Sequence, residues 1–183
     1  MFFTETAIRG AFLVDPDLKT DQRGFFARTF CALEFEQHGL ATTFVQTNVS
    51  FSALRGTLRG LHYQVDPASE TKLVRCTRGA IHDVIVDLRP GSPTFLQSIA
   101  VTLTFENHRG LYVPKRFAHG FQALSDDVEV SYQVDAFYSP EHERGLRYDD
   151  PVLAIQWPET VTAISEKDQR WPLIDIPDHP DSE

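Results

Sequence analysis

The chain has 183 residues, 42% hydrophobic and 23% charged, enough apolar material for one core and too little length for two ordinary domains. Its net charge of −9 argues against a surface that coats nucleic acid or anionic membrane, because both need basic patches. No apolar run approaches the roughly 20 residues of a membrane span, the N-terminus lacks the pattern of a signal peptide, and two cysteines, Cys31 and Cys76, are too few for a disulfide framework. These features lead us to expect one cytoplasmic domain over residues 1–183, with no nucleic-acid and no membrane partner.

In chain order, Cys31–His38 is the first helical stretch, ending at Gly39, a glycine suited to the left-handed position after a helix. The densest polar cluster follows, Leu54 to Gln64, where Arg55, Arg59 and His62 sit among glycines that let a backbone approach a ligand. Taken alone, an ordinary hairpin with exposed arginines is the plainer reading. Lys72–Thr77 and Ile81–Leu88 read as strands. Lys72 has the parity of Val74 and Cys76, so it points inward if they do. A buried lysine needs a partner or a ligand, although a lysine snorkelling from a strand end is commoner.

The turn residues Arg89 to Pro93 lead into Gln97–Phe105, which alternates with period two. There Ile99, Val101, Leu103 and Phe105 face one way and Ser98, Ala100, Thr102 and Thr104 the other. His119 stands between aromatics in Pro114–Phe121, a setting usual for a satisfied core histidine. In Val128–Val134, Tyr132 shares a face with Val128, Val130 and Val134, by default as a core tyrosine. Ser165–Arg170 reads as a second short helix with Ser165 as N-cap, and the S-x-x-D spacing suits Asp168 to a capping role. Residues 175–183 read as a frayed acidic tail. Many short strands and few helices make an all-β sandwich or barrel. The pattern alone does not separate a jelly roll from other antiparallel sandwiches.

Several blocks occur in a fixed order: Asp21–Phe26, Gln46-Thr47-Asn48, Gly56–Gln64, Lys72–Arg75, Phe117–Phe121, Tyr138–Gly145, Asp149-Asp150-Pro151 and Ser165–Asp168. Together, from about Asp21 to Asp168, they resemble the dTDP-4-dehydrorhamnose 3,5-epimerase family. LRGLHYQ followed by FAHGF is the most specific pair. The resemblance implies a cupin-type jelly roll (a double-stranded β-helix) with a few short peripheral helices. It also implies a homodimer with shared active sites.

The family acts on a nucleotide-diphosphate 4-keto-6-deoxy sugar, converting dTDP-4-dehydro-6-deoxyglucose to dTDP-4-dehydrorhamnose. The ketone acidifies the C–H bonds at C3 and C5. Inversion needs a base, a group to hold the enolate and an acid on the opposite face, and it needs no cofactor and no metal. By resemblance, His62 is the base, a residue type that titrates near neutral pH. Asp168 fixes its tautomer, Lys72 holds the enolate oxygen and Tyr132 is the acid. His119 lies near the sugar. Arg59 binds the pyrophosphate with Arg23, Gln46 and Asn48. Tyr138 stacks on the base, and Phe26, Glu143 and Lys167 match further binding positions. Arg23 reaches the partner's site.

Three positions depart from the family pattern. Arg28 replaces a glutamate that contacts the nucleoside, Thr47 replaces the aspartate of QDN, and Arg116 replaces a glycine. Arg28 motivates an alternative in which the enzyme inverts C3 only or C5 only, or takes another nucleotide's 4-keto sugar. A metal-dependent cupin enzyme and a non-catalytic sugar-nucleotide binder are lower alternatives. Arg59 and His62 differ in parity, so a regular strand would put them on opposite faces. An irregularity near Gly60 is therefore expected.

Overall fold

Period-two alternation builds most of the molecule. A computed structural model describes residues 1–175, and the remainder of the acidic tail lies outside the described residues. In chain order the strands are β1 (Phe2–Glu5), β2 (Phe12–Asp15), β3 (Lys19–Asp21), β4 (Gly24–Phe26), β5 (Gln46–Ser52) and β6 (Leu58–Gln64). They continue with β7 (Lys72–Arg78), β8 (Ala80–Asp87), β9 (Ser98–Thr104), β10 (Gly110–Val113), β11 (Phe117–Ala123), β12 (Val128–Val134) and β13 (Glu143–Gly145). Two short α-helices, α1 (Ala32–Gln37) and α2 (Glu166–Gln169), and a single 3-10 turn at Pro140–His142 complete the set.

Eleven of these strands form two antiparallel sheets, and β3 and β4 pair with each other as a separate hairpin. One has the order β1-β2-β10-β7-β12-β5 and the other β13-β6-β11-β8-β9. Chain neighbours β6 and β7 fall in different sheets, as do β9 and β10, which is the crossing pattern of the expected jelly roll. Val74, Val130, Leu111, Ile81, Ile85 and Leu103 fill the space between the sheets. A second apolar layer, with Leu61, Val84, Val86, Leu146 and Leu153, covers the outside of the five-stranded sheet. On the outside of the six-stranded sheet, Phe35 of α1 packs with Leu73, Tyr112 and Val14.

Local chemistry matches most of the expected elements. Gly39 follows α1 with φ of +68°, a conformation glycine takes without penalty. Ser165 caps α2 by accepting the Asp168 N–H at 3.0 Å. The face containing Val128, Val130 and Val134 is buried as expected. Phe105 is a correction. The alternation carries the strand through Phe105 on the face of Leu103, but β9 ends at Thr104, and Phe105 is half-exposed, edge-on to His108 at 5.7 Å. The polar turn that follows ends the strand one step earlier than the alternation does.

The expected irregularity is present. On β11, His119 pairs with His62 and Phe121 with Arg59, so three steps on β6 oppose two on β11. Gly60 sits in this bulge with φ of +117°. A Cβ there would lie 2.6 Å from Gly120 Cα, so β6 and β11 meet backbone to backbone. The extra residue resolves the parity conflict, and Arg59 and His62 both face the cavity between the sheets.

Candidate active site

The space between the sheets changes character along its length. Val74 and Cys76 of β7 and Val130 of β12 belong to the apolar core, while Lys72 and Tyr132, on the same faces, line an open cavity of about 860 Å³. His62 and Arg59 come from β6, His119 from β11, Gln46 and Asn48 from β5, and Asp168 and Lys167 from α2.

His62 Nε2 lies 2.6 Å from Asp168 Oδ1. A carboxylate only accepts, so Nε2 carries the proton and the Nδ1 lone pair is left as the ring's basic position. Asp168 Oδ2 accepts the Gly60 N–H at 3.2 Å, a donor that the bulge turns out of the ladder. Burial pushes the Asp168 pKa up. The bond to His62, the histidine's charge, the Gly60 N–H and Ser165 outweigh burial and hold it below the usual carboxylate range.

Lys72 is buried, with Nζ 3.1 Å from Glu70 Oε1 and 3.5 Å from the His62 carbonyl. Its inward parity with Val74 and Cys76 is as expected, and Glu70 is the partner its burial demanded. Burial raises the Tyr132 pKa, the Glu70 charge adds to the shift, and Arg59 opposes it. The phenol therefore keeps its proton well above neutral pH.

The mouth of the cavity is polar. Arg59 donates from Nε to Ser52 Oγ at 3.1 Å and from Nη2 to the Phe51 carbonyl at 2.7 Å, which fixes its guanidinium along β5. The Tyr138 hydroxyl donates to Glu143 Oε2 at 2.8 Å, and Lys167 Nζ reaches Glu143 Oε1 at 2.6 Å. Gln46 Oε1 accepts the Tyr138 N–H at 2.8 Å. These bonds leave the Tyr138 ring exposed as a flat surface at the rim.

Four other arginines do not line the chain's own cavity, and neither does Phe26. Arg55 of the RGxxRG cluster turns away to Glu159 Oε1 at 2.5 Å. Arg23 and Phe26 are exposed, Arg23 at the β3–β4 turn and Phe26 on β4, and Arg23 pairs with Asp21. Within its own chain Arg28 reaches Glu34 Oε1 at 3.2 Å. Glu34 Oε2 also holds the N-terminal ammonium at 2.7 Å. Arg116 has φ of +63°, which suits the family's glycine there, and it pairs with Asp66.

The structure adds residues that the motifs did not single out. His119 Nε2 lies 2.7 Å from Oδ1 of the fully buried Asp83, a second histidine–carboxylate pair beside the first. Asp83 has the parity of Ile81 and Ile85, and an acid on an inward strand face was a legible signal. Gln64 gives its two Nε2 hydrogens to the Ala68 carbonyl (3.0 Å) and Glu70 Oε2 (3.1 Å), with the Phe137 carbonyl 3.3 Å away, so it is committed to holding this wall together. Among the described residues, no three His, Cys, Asp or Glu side chains converge to hold a metal ion. No helix among them is long and apolar enough to cross a membrane.

The family model described as dTDP-4-dehydrorhamnose 3,5-epimerase matches residues 5–175. The chain belongs to the dTDP-4-dehydrorhamnose 3,5-epimerase family. A curated epimerase of that name from Sinorhizobium fredii is 45% identical over 179 residues, covering 97% of this chain and 92% of the relative. A crystal structure of the Bacillus anthracis enzyme, with TDP and PPi bound, superposes with a TM-score of 0.92 at 47% identity. It covers 94% of this chain and 99% of that one. A 3'-monoepimerase from Streptomyces bikiniensis, in complex with dTDP-quinovose, is 34% identical with a TM-score of 0.86. That alignment covers 92% of this chain and 86% of the monoepimerase. The chain is thus an isomerase with the cupin jelly-roll fold, and its substrate is a nucleotide sugar.

Proposed function

We propose that this epimerase inverts C3 and C5 of dTDP-4-dehydro-6-deoxyglucose by proton transfer across its cavity. His62 Nδ1 takes the proton from the carbon beside the ketone. The C–H electron pair becomes the C=C bond of an enolate, whose oxygen carries the charge. Lys72 stabilises that oxygen, the interaction expected to lower the barrier most. Tyr132 then returns a proton to the opposite face of the same carbon. Solvent restores His62 and Tyr132, and no atom is gained or lost overall. The His62–Asp168 pair, in one cavity with a buried lysine and a protonated tyrosine, is the observation that carries this reading.

The polar mouth suits a nucleoside diphosphate. Arg59 offers a prearranged guanidinium fork to the pyrophosphate, and Tyr138 offers its ring to the base. Asn48, Gln46, Glu143 and Lys167 frame that end, and His119 faces the sugar.

The same reading includes a homodimer. β5 is a sheet edge with Val49 and Phe51 exposed on it, and Phe25 and Phe26 are exposed on the β3–β4 hairpin. Edges and aromatic patches of this kind are natural contact surfaces. In the dimer the hairpin carries Arg23 and Phe26, with Arg28 following, to the partner's cavity. The test of the reaction is proton NMR of the thymidine-diphospho-4-keto-6-deoxyglucose substrate in deuterated water. Deuterium at both C3 and C5 supports the double epimerase, and deuterium at one carbon makes the enzyme a mono-epimerase. Exchange at neither carbon overturns the thymidine assignment.

A further inference from the structure

Lys72 and Tyr132 share a neighbour that the mechanism above does not use. Glu70 lies just before β7, in the wall of the cavity, with its side chain 12% exposed. Both of its oxygens are engaged. Oε1 lies 3.1 Å from Lys72 Nζ, and Oε2 accepts from Gln64 Nε2 at 3.1 Å. Gln64 is itself fixed, because its Oε1 accepts the Ser139 N–H at 2.7 Å.

A lysine ammonium has three donors. In Lys72 one is directed at Glu70, and the His62 carbonyl lies 3.5 Å away in a second direction. With those directions taken, the third donor is available to a ligand. A flexible four-carbon stem seldom holds an ammonium in one place without such anchors. Lys72 on β7 is in contact with Glu70, and the other charged and titratable groups that share its cavity are Tyr132 on β12, Arg59 and His62 on β6, His119 on β11, the Tyr138–Glu143–Lys167 group at the mouth and Asp168 on α2. Among them, Glu70 is a negative charge beside a phenol that must keep its proton.

We propose that Glu70 is a positioning residue of this active site. Its carboxylate aims the Lys72 ammonium across the cavity and sets the negative field in which the Tyr132 hydroxyl works. The inference rests on the roles given above to Lys72 and Tyr132. It assigns a third residue to the enolate-holding wall, one that touches neither substrate nor reacting carbon.

The test is Glu70→Gln, which keeps the shape and one acceptor while removing the charge. The expected result is a kcat lowered roughly tenfold, with KM within about threefold of wild type. The basic limb of the kcat profile moves to lower pH, on the order of one unit, because the charge that helps keep Tyr132 protonated is gone. Glu70→Asp brings the limb part of the way back. Tyrosinate absorbance, as a difference between each enzyme and the same enzyme carrying Tyr132→Phe, reads this ionisation without substrate. It moves in the same direction.

If Glu70→Gln does not fold, Glu70→Gln with Lys72→Met is compared with Lys72→Met alone. Neutralising both partners of a buried pair is better tolerated than removing one. An unmoved tyrosinate titration and an unmoved basic limb in a folded variant overturn the proposal. Failure of the wild-type enzyme to exchange protons of the thymidine substrate overturns the substrate assignment instead. The tyrosinate titration still decides whether Glu70 acts on Tyr132.

Discussion

Gly60 and Asp168 lie 108 positions apart in the chain and are joined by a backbone N–H to carboxylate bond of 3.2 Å. The bond exists because the β6 bulge frees the Gly60 donor from the ladder. The other oxygen of the same carboxylate holds His62 at 2.6 Å. One irregularity therefore turns Arg59 and His62 to the same cavity and also anchors the residue that orients the histidine.

Asp168→Asn removes the charge and allows the amide to donate where the carboxylate accepted. The histidine is then held in the wrong tautomer. We expect kcat to fall by about 10² to 10⁴, with little change in KM, as when the orienting carboxylate of a catalytic triad is lost. Steady-state kinetics on the keto sugar measures this. A kcat within a few-fold of wild type would remove Asp168 from the mechanism.

Asp87 offers a pH test away from the site. Burial pushes its pKa up, but the Arg89 guanidinium, the hydroxyls of Ser92 and Thr94 and the Arg89 N–H outweigh it and hold the pKa far below the carboxylate range. The depressed folded value means the carboxylate stabilises the fold fully above the unfolded pKa near 4 and loses that contribution as pH falls further. Asp87→Asn is expected to cost about 2 kcal/mol at pH 7, a difference from wild type that shrinks below roughly pH 4. Urea unfolding at a series of pH values checks this, and a constant difference across pH would refute the assignment.

Arg23 tests the shared site. It is exposed, pairs only locally with Asp21, and does not line its own chain's cavity. Arg23→Ala is expected to raise KM about tenfold, the loss of one phosphate contact, and to leave kcat and the thermal midpoint near wild type. Sedimentation should show a dimer. A monomer with full activity would rule out this arrangement.

The sequence carried much of this because alternation and motif spacing are local properties. β12 was legible from Val128, Val130 and Val134, and the conflict between Arg59 and His62 marked the bulge before any coordinates. Phe105 misled because alternation continues past the point where turn residues end the strand. Glu70 forms no motif beside its strand, and Asp83, although legible as an acid on an inward face, names no partner by parity alone. What makes them part of the site is the partner brought to each by the fold, Lys72 and His119. The local ion pair of Arg28 with Glu34 was equally out of reach, because no spacing rule links those two positions.

The central claim is that His62 and Tyr132 work on opposite faces of one carbon. The direct measurement is deuterium incorporation, followed with sugar configuration by NMR, in His62→Ala and Tyr132→Phe. Loss of the base should stop exchange at carbon altogether. Loss of the acid should leave exchange running while inversion falls away, since an enolate formed by His62 can be reprotonated from the same face. Full exchange with full inversion in both variants would contradict the mechanism.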